Sequence, residues 1–460
     1  MISEMETQPT DKVTEYRPTQ SSRYLWLWFA VPTLAMIGCW TFLTVNVPYW
    51  DDYSALLQYL VKCPKGLFDF HNEHRIVFTR LIANAILYLN YGVFNFRAMM
   101  AVGNLIQFAY AVGWVLVFRK SKFGLWASVP VFWLLTSFIH YENSCWALTS
   151  VQNVAVVAFT FAAILSFYRW QKKRWMPFCA LACATIATYT SGGGMLVWPC
   201  MIAAGIAEPF NGTENWRNGF KNFRDAFCCK LPRLLVLAVA AAAAIGCYFI
   251  GFPGSTAAPG STELLPRLVN GILFLLAFLG GVVPVYQAAL ILGALSLAAL
   301  VYFALHYPQI RRPEIFWFIV AEFGTMCSAA LFRSTDPHTA VSSRYCIVSC
   351  SVFAGMWYLA LEQIPLPDAL TRRAVRWVMW CVAIYTTAFL ALGAPRFAKR
   401  NEILRRNILT WKTSNDGLRS PEPERAGQIL VYCWKYNIYN PDALLKPDET
   451  PPDKPEPWLR

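Results

Sequence analysis

Residues 24–47 read YLWLWFAVPTLAMIGCWTFLTVNV, an apolar run without a single Asp, Glu, Lys or Arg. A helix needs about twenty such residues to cross the hydrocarbon core of a bilayer. The run is longer than the apolar core of a signal peptide, and no small-residue cleavage site precedes Pro48. It therefore predicts a membrane-spanning helix that is retained in the protein.

The overall composition supports the same interpretation. Of 460 residues, 56% are hydrophobic and only 15% are charged, whereas soluble domains carry about 25% charged residues. The net charge of +13 comes largely from short clusters of Lys and Arg between apolar runs, a pattern that orients membrane proteins. The sequence has no basic stripe with interleaved aromatics, so we expect no nucleic-acid partner. The 14 Cys lack metal-ligand spacing, and those inside apolar runs are interpreted as small hydrophobic residues.

Thirteen apolar runs are candidate membrane spans. They are 24–47, 76–94, 98–118, 124–140, 151–168, 176–190, 195–209, 234–252, 268–284, 286–305, 314–331, 344–361 and 376–393. Cytoplasmic loops are enriched in Lys and Arg, so charge indicates the side of each loop. Loops 119–122, 169–174 and 211–233 are cationic, while loops 141–150 and 190–194 contain no Lys or Arg. We therefore place the first set in the cytoplasm and the second on the outer face.

This alternation requires that two of the runs do not cross. Run 76–94 is interrupted by an arginine, two asparagines and a glycine, and we interpret it as an interfacial or re-entrant helix. Run 268–284 is set aside because Arg311 and Arg312 favour the cytoplasm. The prediction is an all-α polytopic transmembrane helix bundle of about eleven spans, with a range of about eleven to thirteen and a short extracytoplasmic first loop.

The chain divides into a polar N-terminal tail (1–23), a transmembrane helical domain (24–393) and a polar C-terminal tail (394–460) with a Pro-rich end. Cations that follow residue 393 favour the cytoplasm, but charges in a long segment count for less, and we place this tail outside. Within it, residues 428–440 are predicted to form a small packed element.

The predicted topology places the unusual polar clusters on the outer face, opposite the cationic loops. The candidate residues there are Asp51, Asp52, His71, Asn72, Glu73, His74, Arg75, Glu142, Asn143, Gln152, Arg333, Arg344 and Tyr345. Charged and polar groups beside apolar helix ends are costly unless paired. We therefore expect these side chains to converge on one cavity.

The adjacent Asp51 and Asp52 follow the first span directly. A carboxylate held there can act as a general base toward a hydroxyl if burial or a like charge raises its pKa. The alternative is that one of them caps the amphipathic stretch that follows. Both roles can coexist, because adjacent carboxylates point in different directions.

The segment 71–75 packs four ionisable groups into five residues. His71 and His74 lie three apart and could bind a divalent metal together with Glu73. The alternatives are polar residues that line the cavity and a solvated turn in which Arg75 and Arg80 pair with Glu73 and Asp69.

Arg333 and Arg344 flank another outer loop. A guanidinium group binds phosphate oxygens in a bidentate manner, and at the interface it lies close to a lipid phosphate. The alternative is that both side chains snorkel to ordinary phospholipid.

The order of these motifs resembles the GT-C class of polytopic membrane glycosyltransferases, and more closely a poorly characterised bacterial branch of multi-pass proteins. The strings that carry the resemblance are Trp50-Asp51-Asp52-Tyr53, His71-Asn72-Glu73-His74-Arg75-Ile76, Tyr141-Glu142-Asn143, Trp146, Gln152-Asn153, Ser191-Gly192-Gly193-Gly194, Trp198-Pro199 and Ser343-Arg344-Tyr345. The likeness covers residues 45–350.

The resemblance implies a polyprenyl-phosphate-linked sugar donor used at the outer face, and an acid of the first outer loop as catalytic base, a place that Asp51 or Asp52 occupies. The short first loop lacks the acidic-x-acidic metal pattern of the oligosaccharyltransferase branch, so we expect no cofactor and no metal requirement.

These inferences predict an inverting glycosyltransferase in a bacterial inner membrane that transfers a sugar to a glycan, lipid or protein acceptor. A transporter or flippase of lipid-linked saccharide is one alternative, but it would need ionisable groups at mid-bilayer. Apart from Glu322, the interiors of the predicted spans hold few charged residues. A non-catalytic subunit of an envelope-polysaccharide assembly system is the other, with the loop acids structural.

Overall fold

The computed structural model describes residues 24–121, 123–170, 172–207, 216–254, 264–307, 314–333, 335–363, 367–414 and 417–444. These residues form α-helices and short turns without any β-strand, apart from an isolated bridge between His71 and His74. The predicted all-α helix bundle is confirmed. The N-terminal tail 1–23 and the Pro-rich end lie outside the described residues.

Sixteen α-helices follow one another along the described chain. The first eight are α1 (Leu25–Leu43), α2 (Gln58–Lys62), α3 (Val77–Leu89), α4 (Phe96–Phe118), α5 (Val129–Leu135), α6 (Tyr141–Cys145), α7 (Ala147–Tyr168) and α8 (Met176–Thr188). The others are α9 (Val197–Ala207), α10 (Trp216–Phe249), α11 (Leu264–Leu279), α12 (Tyr286–His306), α13 (Glu314–Arg333), α14 (Cys346–Gln363), α15 (Asp368–Ser414) and α16 (Pro423–Lys435).

Seven of the described helices are long and apolar enough to cross a membrane by length and composition, and five shorter apolar helices accompany them. The chain is therefore a multi-pass membrane protein. The first predicted span corresponds to α1, whose Trp26, Leu34 and Phe42 are exposed on the surface of the bundle, as lipid-facing side chains are. The count of about eleven spans stays a prediction.

The helix α3 begins and ends on the same face of the bundle. At its start, the Phe78 amide donates to the Tyr189 carbonyl at 3.1 Å. Beyond its end, the Phe94 amide donates to the Ile438 carbonyl and the Phe96 amide to Asn46 Oδ1, at 2.6 and 2.8 Å. Because residues 46 and 189 both lie at the predicted outer ends of the runs 24–47 and 176–190, these contacts agree with a helix that does not cross.

Contacts at the two ends of α11 follow the same pattern. Near its start, Arg267 donates to the Leu331 carbonyl at 3.5 Å, at the end of α13. Near its last residue, the Phe278 carbonyl accepts from Ser349 Oγ at 2.5 Å, one turn into α14. Since α13 ends and α14 begins on one face, both ends of α11 lie near that face, in agreement with a helix that does not cross.

The C-terminal region packs on the first outer loop. The helix α15 runs without a break through the predicted boundary at 393/394, so the predicted tail begins inside a helix. Trp50 N–H donates to the Arg419 carbonyl at 2.9 Å, and the Tyr439 hydroxyl donates to the Asn46 carbonyl at 2.8 Å. The element predicted over 428–440 is largely α16, whose Leu430 is fully buried against residues of that loop.

The topology can be tested by labelling with a membrane-impermeant maleimide. With the exposed Cys63, Cys247 and Cys381 replaced by serine, we expect Tyr91→Cys to label from the outer face and Trp175→Cys to label only after permeabilisation. Tyr91 is 98% exposed and Trp175 52% exposed, so accessibility does not limit either reaction. Labelling of Trp175→Cys in intact cells would contradict the one-face arrangement of the polar clusters.

Candidate active site

Asp51 lies at a sharp turn between α1 and α2. The preceding Trp50 has a φ of +55°, a left-handed conformation that is unfavourable for a bulky side chain. The hydrogen bond from Trp50 N–H to Arg419 helps to hold this turn. A π-helical turn, Tyr53–Leu57, follows directly and its residues Ala55, Leu56 and Leu57 are completely buried. The backbone on both sides of Asp51 is therefore fixed.

The Asp51 side chain lines a cavity of about 870 Å³. Its carboxylate accepts no hydrogen bond from the part of the chain that the structure describes. Burial raises the pKa of Asp51, Glu73 raises it further, and the nearby Arg344 and Arg333 partly offset this rise. An unengaged carboxylate with a raised pKa has the properties that a general base requires.

Asp52, in contrast, is completely buried and fully engaged. Its Oδ1 accepts from Trp146 Nε1 at 3.2 Å and from Leu148 N at 3.0 Å, and its Oδ2 accepts from Tyr49 N at 3.1 Å. Burial raises the pKa of Asp52 to about 8, while these N–H donors act in the opposite direction. The carboxylate makes no capping bond in its own helical turn; it instead satisfies an amide in the first turn of α7.

Glu73 and His74 form a polar chain with Arg333. Glu73 Oε1 lies 3.4 Å from Arg333 Nη2 and 3.7 Å from His74 Nε2. Burial raises the pKa of Glu73, but its own backbone N–H and the Arg333 guanidinium outweigh burial and lower the pKa of this carboxyl. Glu73 is therefore ionised and holds Arg333 near Asp51.

The glycine run 192–194 contacts the polar chain of Glu73, His74 and Arg333 at His74. Gly192 N–H donates to His74 Nδ1 at 3.3 Å, and a Cβ at Gly192 would lie 3.2 Å from that nitrogen. Burial lowers the pKa of His74 to about 4 despite the neighbouring Glu73, so the ring is neutral at pH 7. A Cβ at Gly194 would lie 2.1 Å from the Ala187 carbonyl. The glycines thus permit close approach of protein groups.

The two histidines of the 71–75 segment have different side-chain surroundings. They are joined through their backbones, at 2.8 and 3.0 Å, and His74 Nδ1 is already engaged by Gly192. Burial, followed by Arg80, lowers the pKa of His71 to about 4. His71 and the adjacent Asn72, with a φ of +51°, line the cavity beside Asp51.

Arg75 and Arg80 bind carbonyl groups, and within the described ranges neither pairs with a carboxylate. Arg75 donates to the carbonyls of Phe68, Tyr248 and Ile250, which joins the first outer loop to the end of α10. Arg80 donates to the carbonyls of Gly66, Leu67 and Asp69. Arg75 therefore contributes charge to the cavity wall while its donors hold the loop.

Glu142 organises the turn that carries Arg344. Its Oε2 accepts from Ser342 Oγ, Ser343 Oγ and Arg344 N at 2.9, 2.8 and 3.0 Å. Asn143 Nδ2 donates to the Arg344 carbonyl at 3.0 Å. The sequence predicts that Glu142 and Asn143 line a substrate pocket. In the structure both side chains are hydrogen-bonded to the 342–344 turn. Gln152 is buried in the first half of α7.

The Arg344 guanidinium lies between two aromatic rings, 5.8 Å from the Trp146 centroid and 5.1 Å from the Tyr345 centroid. Its Nε is buried and has no hydrogen-bond partner among the described residues. The Tyr345 hydroxyl accepts from Arg333. The guanidiniums of Arg333 and Arg344 are thus held close to Asp51. The Arg344 Nε–H remains a donor that no described residue engages.

Comparison with known proteins gives structural similarity only. No family model matches the sequence, and no curated protein matches it. The archaeal oligosaccharyltransferase AglB from Archaeoglobus fulgidus, solved with an inhibitory peptide and a dolichol-phosphate, is similar at a TM-score of 0.44 and 15% identity. The match covers 95% of this chain and 61% of that one.

ArnT from Cupriavidus metallidurans, in the apo state, is similar at a TM-score of 0.41 and 12% identity, over 92% of this chain and 77% of that one. The present chain spans less than two thirds of the archaeal AglB chain.

The sequence did not reveal that the C-terminal region forms part of the cavity wall. Ser420, Glu422, Arg425 and Ile429 line the cavity opposite Asp51. Arg425 donates to Gln58 Oε1 at 3.1 Å, which joins α16 to α2. The amphipathic pattern of 428–440 predicted a packed element, but it carried no information about which surface the element covers.

Proposed function

We propose that this protein is an inverting glycosyltransferase that moves a sugar from a polyprenyl-phosphate-linked donor to an acceptor hydroxyl. One observation carries the proposal: Asp51 lines the cavity on one side and interacts with Arg333 and Arg344 on the other, and those two arginines do not line the cavity. An unengaged carboxylate between a cavity and a pair of guanidiniums fits a base that lies between an acceptor and a phosphate.

In the proposed reaction the acceptor enters the cavity and its hydroxyl proton passes to Asp51. The hydroxyl oxygen attacks the anomeric carbon as the bond from that carbon to the phosphate oxygen breaks. Polyprenyl phosphate leaves with the bonding electrons, so one displacement inverts the configuration. Arg344 and Arg333 stabilise the negative charge that grows on the phosphate.

Glu73 and Glu142 have positioning roles in this proposal. Glu73 holds Arg333 at 3.4 Å, and Glu142 holds the backbone of the turn that presents Arg344. Both carboxylates are engaged by neighbouring groups, whereas Asp51 is not. This difference favours Asp51 over the other acids of the outer face as the base.

The setting is proposed as the periplasmic face of a bacterial inner membrane. The donor lipid would reach the arginines from the bilayer, and a glycan, lipid or protein acceptor would reach the cavity from the aqueous side. The Asp51 carboxylate needs no bound ion for the proton transfer described above.

The proposal can be tested with the purified full-length protein and a panel of radiolabelled polyprenyl phosphate sugars. We expect one donor to lose its sugar to an acceptor fraction, or slowly to water, and Asp51→Asn to slow this consumption by about 10²–10⁴-fold. If no donor is consumed but labelled lipid crosses the bilayer of proteoliposomes, the flippase alternative replaces the proposal. Binding without consumption or movement would favour an assembly subunit.

A further inference from the structure

Three potential metal ligands meet at the outer end of the bundle, apart from the Asp51 cavity. His140 ends the 3-10 turn Phe138–His140, directly before α6. Cys346 and Cys350 lie one turn apart at the start of α14. All three side chains are buried, with exposed fractions of 0, 4 and 0%. One ligand atom from each lies within 4.8 Å of the other two.

The hydrogen bonding of His140 leaves one ring nitrogen available for a metal. Nε2 lies 2.8 Å from the Leu134 carbonyl oxygen, which can only accept. Nε2 therefore carries the hydrogen, and Nδ1 has a free lone pair. This Nδ1 is buried and has no hydrogen-bond partner among the described residues. Metal-binding histidines typically donate their other N–H to a carbonyl or carboxylate in this way.

The spacing of the two sulfur atoms also suits a bound ion. Cys346 Sγ and Cys350 Sγ are 3.7 Å apart. Two thiolates bound about 2.3 Å from one tetrahedral ion would be separated by roughly 3.8 Å. Because the cysteines are four residues apart on a helix, both sulfurs lie on the same face, toward His140.

We propose that His140, Cys346 and Cys350 form a buried site for a thiophilic d¹⁰ cation, Zn²⁺ or Cu⁺. Two thiolates and one imidazole select soft or borderline ions and discriminate against Mg²⁺ and Ca²⁺. On binding, both thiols release a proton to solvent and no electron is transferred. Three protein ligands complete a trigonal Cu⁺ site, while Zn²⁺ takes an additional ligand such as water.

The site would join two segments that hold the phosphate-facing arginine. His140 immediately precedes α6, which carries Glu142, and Cys346 follows Arg344 by two residues. The Glu142 contact with the Arg344 amide lies beside it, at 3.0 Å. A metal at this point would therefore fix the positions of α6 and α14 that the 342–344 turn requires.

The test is the metal content of the full-length protein, purified in detergent without chelators from cells supplied with zinc and copper. We expect about one Zn²⁺ or Cu⁺ per chain in the wild type and nearly none in Cys346→Ser, Cys350→Ser or His140→Gln. The matched control is Cys145→Ser, which removes another buried thiol, in the adjacent α6, outside the triad. Elemental analysis identifies the ion, and the control should retain it in full.

A spectroscopic measurement covers the case in which the variants do not fold. Wild-type protein stripped by a chelator and loaded with Co²⁺ should show a thiolate-to-cobalt charge-transfer band, and Cu⁺ should be retained against a competing chelator in the copper case. Metal loading should also raise the Tm by several degrees. A wild type without stoichiometric metal that gives neither the cobalt band nor Cu⁺ retention overturns the site. Equal metal content in the wild type and in the Cys346→Ser, Cys350→Ser and His140→Gln variants overturns it as well.

Discussion

Asp51→Asn is expected to lower sugar transfer by about 10²–10⁴-fold, the contribution of a positioned general base. Asparagine keeps the size of the side chain but cannot accept the proton. Because the Asp51 carboxylate accepts no hydrogen bond from the described residues, the exchange breaks no hydrogen bond there. Donor binding and Tm should therefore stay near wild type, and the loss should appear in kcat. Steady-state kinetics together with a thermal melt separate these quantities.

Asp52→Asn is the matched control, since it is the same exchange at the neighbouring residue. Asp52 accepts from Trp146, Leu148 and Tyr49, and an amide NH₂ cannot replace both oxygens. At least one buried N–H then loses its acceptor, which costs about 1–3 kcal/mol of folding free energy. We expect a lower Tm with a smaller loss of kcat in the fraction that folds. Unchanged transfer in Asp51→Asn would exclude Asp51 as the base.

The pH dependence provides a further check on the same residue. Burial raises the pKa of Asp51, and only the ionised carboxylate can accept a proton. Activity should therefore fall as the pH decreases through this raised value, at a higher pH than an ordinary aspartate would show. The residual activity of Asp51→Asn should lack this acidic limb.

Arg344→Lys is expected to weaken donor binding by about 10- to 150-fold, since a hydrogen bond to a charged group contributes roughly 1.5–3 kcal/mol. Lysine keeps the positive charge but not the planar fork that binds two phosphate oxygens. Arg344→Ala should be worse, because the charge is lost as well. Turnover at saturating donor should change less for Arg344→Lys, and titration with labelled donor measures the difference.

Arg97→Lys is the control for a general interfacial effect. Arg97 lies at the start of α4 and donates to the Thr41 carbonyl and Thr44 Oγ1 at 3.0 and 3.2 Å. Both contacts are with the end of the first span, and Arg97 is not one of the charges that act on Asp51. Its replacement should therefore leave donor affinity unchanged. Normal affinity in both Arg344 variants would indicate that Arg344 only snorkels to phospholipid.

The sequence predicted the helical fold because its signal is local. The apolar run 24–47 and the alternation of cationic and cation-free loops depend only on neighbouring residues and on the bilayer. The same alternation predicted that runs 76–94 and 268–284 do not cross, in agreement with the contacts of α3 and α11. It also placed Asp51, Arg333 and Arg344 on one face, and the structure brings them within electrostatic range of each other.

The sequence could not predict which polar groups satisfy one another inside the protein. Asp51 and Asp52 are chemically identical, and their different environments come from Trp146 and Leu148, which are distant in the chain. Likewise, Glu142 forms its contacts with the turn 342–344. Cys346 and Cys350 show no metal-ligand spacing in the sequence, because the proposed third ligand, His140, comes from the turn before α6. Such pairings depend on tertiary distance.

The packing of the C-terminal region against the first outer loop affects the order in which parts of the protein can fold. During synthesis the first span and Asp51 enter the membrane early, and α16 leaves the ribosome only after α1 to α15. The cavity therefore lacks one wall until that region has been synthesised and Arg419 reaches Trp50. A nascent or prematurely terminated chain carries Asp51 and both arginines but not the enclosed acceptor site. Because α16 must pack against the first outer loop, a complete cavity forms only after the helices between these two segments have been inserted.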